Sequence, residues 1–307
     1  MPTRDQQLAS ASTDHALRFL LLALVVVPFL GVLAAAALVW RNGLGAVELG
    51  SLSAMYALTT AAVTVGFHRL FAHRTFRTGA ALRAVLAVAG SMAVQGPVIY
   101  WAANHRRHHT HADKPGDPHS PHLYGPEPRR RLRGLVHAHV GWLFNHELTD
   151  CARYAPDLLR DPMLARINRL YFVWVVLGLA LPAAAGGLAT GGGTGALQGF
   201  VWGGLVRIFL LQHTTFSINS VCHVFGSRSF ETDDRSTNNA WLALISFGEA
   251  WHNNHHAFPT SARFGLRWWQ VDVGAAVIGA LALAGLAWNV KTPTARTILE
   301  AKGRPTP

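Results

Sequence analysis

The stretch TTAAVTVGFHRLFAHRTF, residues 59–76, carries an apolar run straight into two histidines, His68 and His73. It is the end of a longer apolar segment, Val47–Phe67, long enough to cross a bilayer, which takes roughly 20 apolar residues. One histidine past a membrane span is ordinarily an interfacial hydrogen-bonding residue. Its meaning changes if other histidines reach the same place, so the rest of the chain has to be read for partners.

Three more segments are long enough to span: Ala16–Trp40, Leu170–Thr190 and Ala196–Phe216. The first is too long for a signal-peptide core and is read as a retained anchor. Short linkers, RNGLGA and TGGGTG, join the spans in two helical hairpins. Charged residues make up only 14% of the 307 and hydrophobic ones 50%, with a mean hydropathy of +0.21. A soluble domain carries about 25% charge, so a membrane protein is expected. The net charge of +11 sits between apolar runs too long for a soluble nucleic-acid binder. No nucleic-acid partner is expected.

About half of the 27 Lys and Arg lie between His68 and Arg169, and the hairpin tips carry almost none. The positive-inside rule then puts both termini and the segments 68–169 and 217–307 in the cytoplasm. Residues 129–133, RRRLR, read as a basic loop facing solvent or headgroups, or as an anionic-ligand site. Cys151 and Cys222 are the only cysteines, far apart, which argues against a disulfide framework. Two further apolar stretches, Ala80–Tyr100 and Trp268–Trp288, contain polar interruptions and are expected to lie flat at the interface. The fold expected is an all-α membrane protein, one domain over 1–307, with four transmembrane helices under a cytosolic helical cap.

The partners lie in that cap. NHRRHHTH carries His105, His108 and His109; NSVCH carries Asn219 and His223; WHNNHHAFP carries His252, His255 and His256. If Ala80–Tyr100 lies flat, all four clusters meet on one side of the membrane. A helix advances about 100° per residue, so His105 is offset from His108 by roughly 60° and from His109 by roughly 40° the other way. Neighbouring histidines can therefore feed two metals from one helix face. His68 and His73 diverge by about 140° on an α-helix and converge only if the chain leaves that geometry. Imidazole suits Zn, Cu, Fe or Ni, so spacing alone does not choose the metal. His119 and His139 are expected to orient ligands from behind or to be structural. His15, His137, His146 and His213 are read as ordinary histidines. Arg207, a charge inside the fourth span, is costly there and suggests snorkelling or pairing near a substrate path.

HRLFAHRTF, HRRHH, GDPHSPH, HVGWLF, NSVCH and GEAWHNNHHAFP together resemble the integral-membrane fatty acyl desaturases, specifically the acyl-CoA Δ9 (stearoyl-type) branch, from about Tyr56 to Val290. Asn104 stands where animal members tend to have an acidic residue, and Asn254 replaces the tyrosine of HNYHH. The resemblance implies two iron ions held by nine histidines. It assigns His68, His73, His109 and His256 to one iron. It assigns His105, His108, His223, His252 and His255 to the other, with Asn219 reaching it through water. It also implies that Tyr56 and Thr60 close the acyl tunnel, twelve and eight residues before His68, or about 18 and 12 Å along a helix.

The activity implied is O2-dependent insertion of a cis double bond, Δ9, into a long-chain acyl thioester. The carrier expected is coenzyme A, with acyl carrier protein or lipid as alternatives. The chain shows no flavin or nicotinamide fingerprint and no haem or ferredoxin segment. Electrons are therefore expected from a separate donor protein of ferredoxin/reductase or cytochrome b5 type. A related hydroxylase or acetylenase is the alternative within enzymes, and a metal-binding membrane transporter the alternative outside them.

Overall fold

The computed structural model describes residues 4–144 and 147–302, with the side chains of residues 4–17 left aside, so His15 and His146 lie outside the description. Four helices are long and apolar enough to cross a membrane: α1 (Arg4–Asn42, apolar over Arg18–Arg41), α2 (Ala46–Ala72), α7 (Tyr171–Thr190) and α8 (Gly193–His223). Between them lie α3 (Ala80–Ser91), α4 (Val98–His111), α5 (Pro128–His139) and α6 (Pro162–Arg169). After them come α9 (His252–Ala257) and α10 (Val273–Leu283). Helices α3 and α10 have 12 and 11 residues. At 1.5 Å per residue neither covers the roughly 30 Å of hydrocarbon. Neither ambiguous apolar stretch is a span.

Contacts divide the described chain into two compact units. The first comprises, of the described residues, 4–55, 143–144 and 179–210. Its helices approach through small residues: a Cβ on Gly31 would strike Leu205, and one on Gly199 the carbonyl of Pro182. Such surfaces are how helices pack where lipid removes the hydrophobic drive between them. The turn between α7 and α8 passes through Gly191 at φ +68°, the left-handed conformation that lets a helix stop abruptly.

The second unit comprises, of the described residues, 56–142, 147–178 and 211–302. Its core joins Val65, Phe67 and Phe71 of α2 to Leu86 of α3, Val98 and Ile99 of α4, Leu164 and Ile167 of α6, and Ile278 of α10. A two-residue antiparallel ladder, Arg77–Thr78 against Ala287–Trp288, ties the chain leaving α2 to the chain leaving α10. It is the one ladder among the described residues in an otherwise helical fold. RRRLR lies on α5 rather than in a loop, its arginines exposed.

Helix α2 changes character on the way down. It is α-helical over Ala46–Ala61 and π-helical over Ala62–Ala72, and all eleven residues of the π segment are buried. A π-helix bonds i to i+5 and is often found at functional sites. Here the amide of His73 donates to the carbonyl of His68 at 3.1 Å.

Candidate metal centre

That i+5 bond brings the first two histidines together. Their ring centroids lie 4.9 Å apart, where an α-helix would have splayed them. His105, His108 and His109 come from α4, His223 from the end of α8, and His252, His255 and His256 from α9. They converge in two groups. His68, His73, His105, His109 and His255 form one; His108, His223, His252 and His256 form the other. Within each group the candidate ligand atoms lie within 4.8 Å of one another.

The grouping departs from the partition that the resemblance implies. His105 and His255 stand with His68, and His256 stands with His108. The reason is helical: residues four apart differ by about 40° and share a face, whereas adjacent ones diverge by about 100°. The pairs His105/His109 and His252/His256 therefore each stay together, and His108 and His255 go to the opposite group.

Carboxylates set the tautomers. Nδ1 of His108 lies 3.0 Å from Asp117, Nδ1 of His223 2.8 Å from Asp113, and Nδ1 of His256 2.9 Å from Asp234. Nδ1 of His68 is paired with Glu249. A neutral imidazole that donates Nδ1–H to a carboxylate keeps its lone pair on Nε2. Those Nε2 atoms face inward. His223 and His252 approach at 3.0 Å, His256 and His252 at 3.1 Å, His108 and His256 at 3.4 Å. In the five-histidine group the corresponding approaches run from 2.7 Å (His73 and His105) to 3.0 Å (His68 and His255). Lone pairs aimed at each other repel, and a shared cation turns that repulsion into ligation. The donor set fits a pair of nitrogen-ligated metals.

Burial keeps six of these imidazoles neutral. It holds His73, His105, His109, His252 and His255 well below the usual histidine range, reinforced by their mutual repulsion. Burial brings His256 down to about 4, with Asp234 restoring only part of the loss. His108 goes the other way, because Asp117 outweighs its burial. Burial raises Asp117, Asp113 and Asp234, but their histidine partners outweigh it and leave all three strongly acidic.

A cavity opens on both groups, lined by Thr60, Val63, Leu211, Ile218 and Asn219 beside His68, His105, His108 and His252. Thr60 is thus in its wall. Tyr56 stands behind that wall: its hydroxyl is 3.2 Å from Thr214, a lining residue, and donates to the carbonyl of Ile245 at 2.9 Å. His119 is buried beside His108, with Nδ1 3.7 Å from Asp117. His139 bonds Ser220 and His213 and none of the nine histidines. Arg207 is buried and donates to the carbonyl of Gly203. Asn254 is a packing residue, bonded to Asn238, Phe264 and Gln270.

Sequence reading missed the carboxylates. Asp117 and Glu249 sit inside quoted motifs, GDPHSPH and GEAWHNNHHAFP, while Asp113 and Asp234 sit in loops with no signal of their own. Arg69 was also missed. It is fully buried, 3.0 Å from Glu249 and 2.9 Å from Asp272, with Phe264 stacked on its guanidinium.

The fatty acid desaturase family matches residues 44–290, the span that contains every one of these histidines. The chain belongs to that family. It is 50% identical over 279 residues to a hex-5-enoyl-[acyl-carrier protein] acetylenase of Moorena producens, covering 90% of this chain and 87% of that one. An sn-1 stearoyl-lipid 9-desaturase of Anabaena variabilis is 40% identical, covering 75% of this chain and 78% of its own. An acyl-CoA C20 Delta5-desaturase of Anemone leveillei is 37% identical, covering 78% and 73%. These relatives differ in carrier and bond position. The family chemistry is oxidative and acts on acyl chains.

Proposed function

We propose that this desaturase holds two irons and uses O2 to insert a cis double bond, at Δ9, into a long-chain acyl thioester such as acyl-CoA. The observation that carries the reading is one cavity lined both by histidines of the two groups, His68, His105, His108 and His252, and by the apolar Val63, Leu211 and Ile218. A saturated chain offers nothing to ionise, so its C–H bonds yield only to a strong oxidant. Iron supplies that oxidant from O2, and zinc, which has no redox chemistry, does not. The balance is two hydrogens from the chain, two electrons and two protons from outside, and two waters from O2. The protein residues hold the methylenes against the imidazole floor, keep water out through the apolar wall, and stop the tail near Thr60 and Tyr56. Asn219, in the wall of the same cavity, would reach a metal through water. The electrons come from a separate carrier of ferredoxin or cytochrome b5 type.

Both termini and the metal centre face the cytoplasm. Cysteines placed at Gly45 and Gly192 then label from outside with an impermeant reagent, and one at Gly116 does not.

Alkyne formation on a carrier-protein substrate is the second reading, favoured by the 50% identity to the acetylenase. Expression in a desaturase-deficient host with gas chromatography–mass spectrometry separates the two. A cis-9 alkene supports the first, an alkyne the second, and an alcohol or no product rejects both. Assays with matched acyl-CoA and acyl-carrier-protein substrates then identify the carrier.

A further inference from the structure

The two histidine groups are not equivalent behind their ligands. Three of the four imidazoles in the smaller group rest on carboxylates: His108 on Asp117, His223 on Asp113 and His256 on Asp234. Among the described residues only His68 of the larger group has one, Glu249. That carboxylate is shared with Arg69, which is fully buried and 3.0 Å away. A second guanidinium adjoins the same side, because Arg106 donates to the carbonyls of Phe71 and Ala72, next to His73, but both its terminal nitrogens are paired with Asp157. Beside the smaller group, buried Arg107 donates to the carbonyl of Gly116, next to Asp117, and is paired with Glu147, while Arg228 and Arg235 are exposed.

The three aspartates are also fixed in place. Asp113 accepts from Ser120 at 2.6 Å and from the amide of Arg235 at 2.7 Å. Asp117 accepts from the amides of Asp113 and His119, and Asp234 from Thr232 and the amide of Ser236. Each is held by donors that are not metal ligands, so each is oriented before any cation arrives. By contrast Glu249 shares the guanidinium of Arg69 with Asp272.

We propose that the centre loads in order: the four-histidine group, through Asp113, Asp117 and Asp234 as positioning residues, takes the first divalent iron and keeps it longest. The five-histidine group fills second and empties first. An outer carboxylate makes its imidazole a stronger donor and adds negative charge near the cation; losing one typically weakens a metal 10–100-fold. The fifth imidazole of the larger group works against this order, but three carboxylates against one outweigh a single neutral ligand. The inference rests on the two-iron reading above.

The test uses the full chain in detergent, stripped by a chelator and titrated anaerobically with 57Fe(II), read by Mössbauer spectroscopy and metal analysis. One equivalent gives a single quadrupole doublet, and the second equivalent adds a different one. Asp234→Asn shifts the first doublet and weakens its iron roughly 10–100-fold, while Glu249→Gln leaves the first equivalent unchanged and weakens the second. If Asp234→Asn does not fold, chelation of the wild type decides: about one iron per chain leaves early and one late. Equal amounts of both doublets at one equivalent, or a single phase of loss, overturns the proposal and leaves the two-iron reading standing. A chain that never takes more than one iron overturns the two-iron reading itself.

Discussion

The first histidine box and the other two solve the same problem with different helices. HRRHH and HNNHH sit on α-helices, where residues four apart share a face, so His105/His109 and His252/His256 each serve one group. HRLFAH has a five-residue spacing that an α-helix would waste. It works because the chain is π-helical over Ala62–Ala72 and the i+5 bond puts His73 over His68. Spacing has meaning only relative to the helix that carries it. The π segment is held by close packing: all of its residues are buried, and both α3 and α4 lie against it.

The largest expected effect treats the two kinds of box alike. His73→Ala and His252→Ala should each abolish product and drop iron below two per chain, with membrane insertion intact. Product from His73→Ala at near wild-type yield would mean that the π-helical box is only structural.

Acid should open both kinds together. The unfolded chain protonates its histidines near pH 6.5, whereas the folded state holds His73, His105, His109, His252 and His255 far lower and His256 at about 4. Their contribution is complete above pH 6.5 and is lost as the pH falls toward 4, because the unfolded state then binds more protons. Iron release has the same sign, since only neutral imidazole ligates. His108 alone, being raised, runs in the opposite direction. The depressed Asp113, Asp117 and Asp234 add a further loss only below about pH 4. Melting temperature and retained iron, followed from pH 8 to 4, check this; a flat profile across pH 6 would contradict it.

A smaller effect separates the boxes. A Cβ on Gly66 would meet Leu86 Cβ at 2.9 Å, so Gly66→Ala overpacks the π segment against α3. It should cost about 1–3 kcal/mol and loosen iron in the His68/His73 group first. Ala103→Gly on α4 should cost about 1 kcal/mol through helix propensity and leave both irons in place. Thermal melts with metal analysis read both, and equal iron loss in the two variants would erase the distinction.

The smallest effect leaves the metals untouched. Thr60 lies in the cavity wall on the last α-helical turn before the π segment. Thr60→Leu should shift products to shorter chains and Tyr56→Ala to longer ones, with iron content unchanged. Feeding a ladder of saturated acids shows the shift, and an identical profile from both variants would place the end of the tunnel elsewhere.

Apolar length was enough to mark four candidate spans and two shorter apolar segments, because a bilayer imposes its thickness directly on the sequence. All nine histidines were legible too, since so many imidazoles beside membrane spans have no ordinary use. What sequence could not decide was which histidine joins which group. That depends on whether α2 winds as α or π, and on the faces α4 and α9 turn toward it, both settled by packing. The carboxylates behind the ligands were hidden for a related reason. Asp113 and Asp234 reach His223 and His256 across 110 and 22 residues from irregular loops, and no periodicity announces a contact of that kind. Local pattern picked out the nine histidines; long-range packing decided how they are grouped and which carboxylates stand behind them.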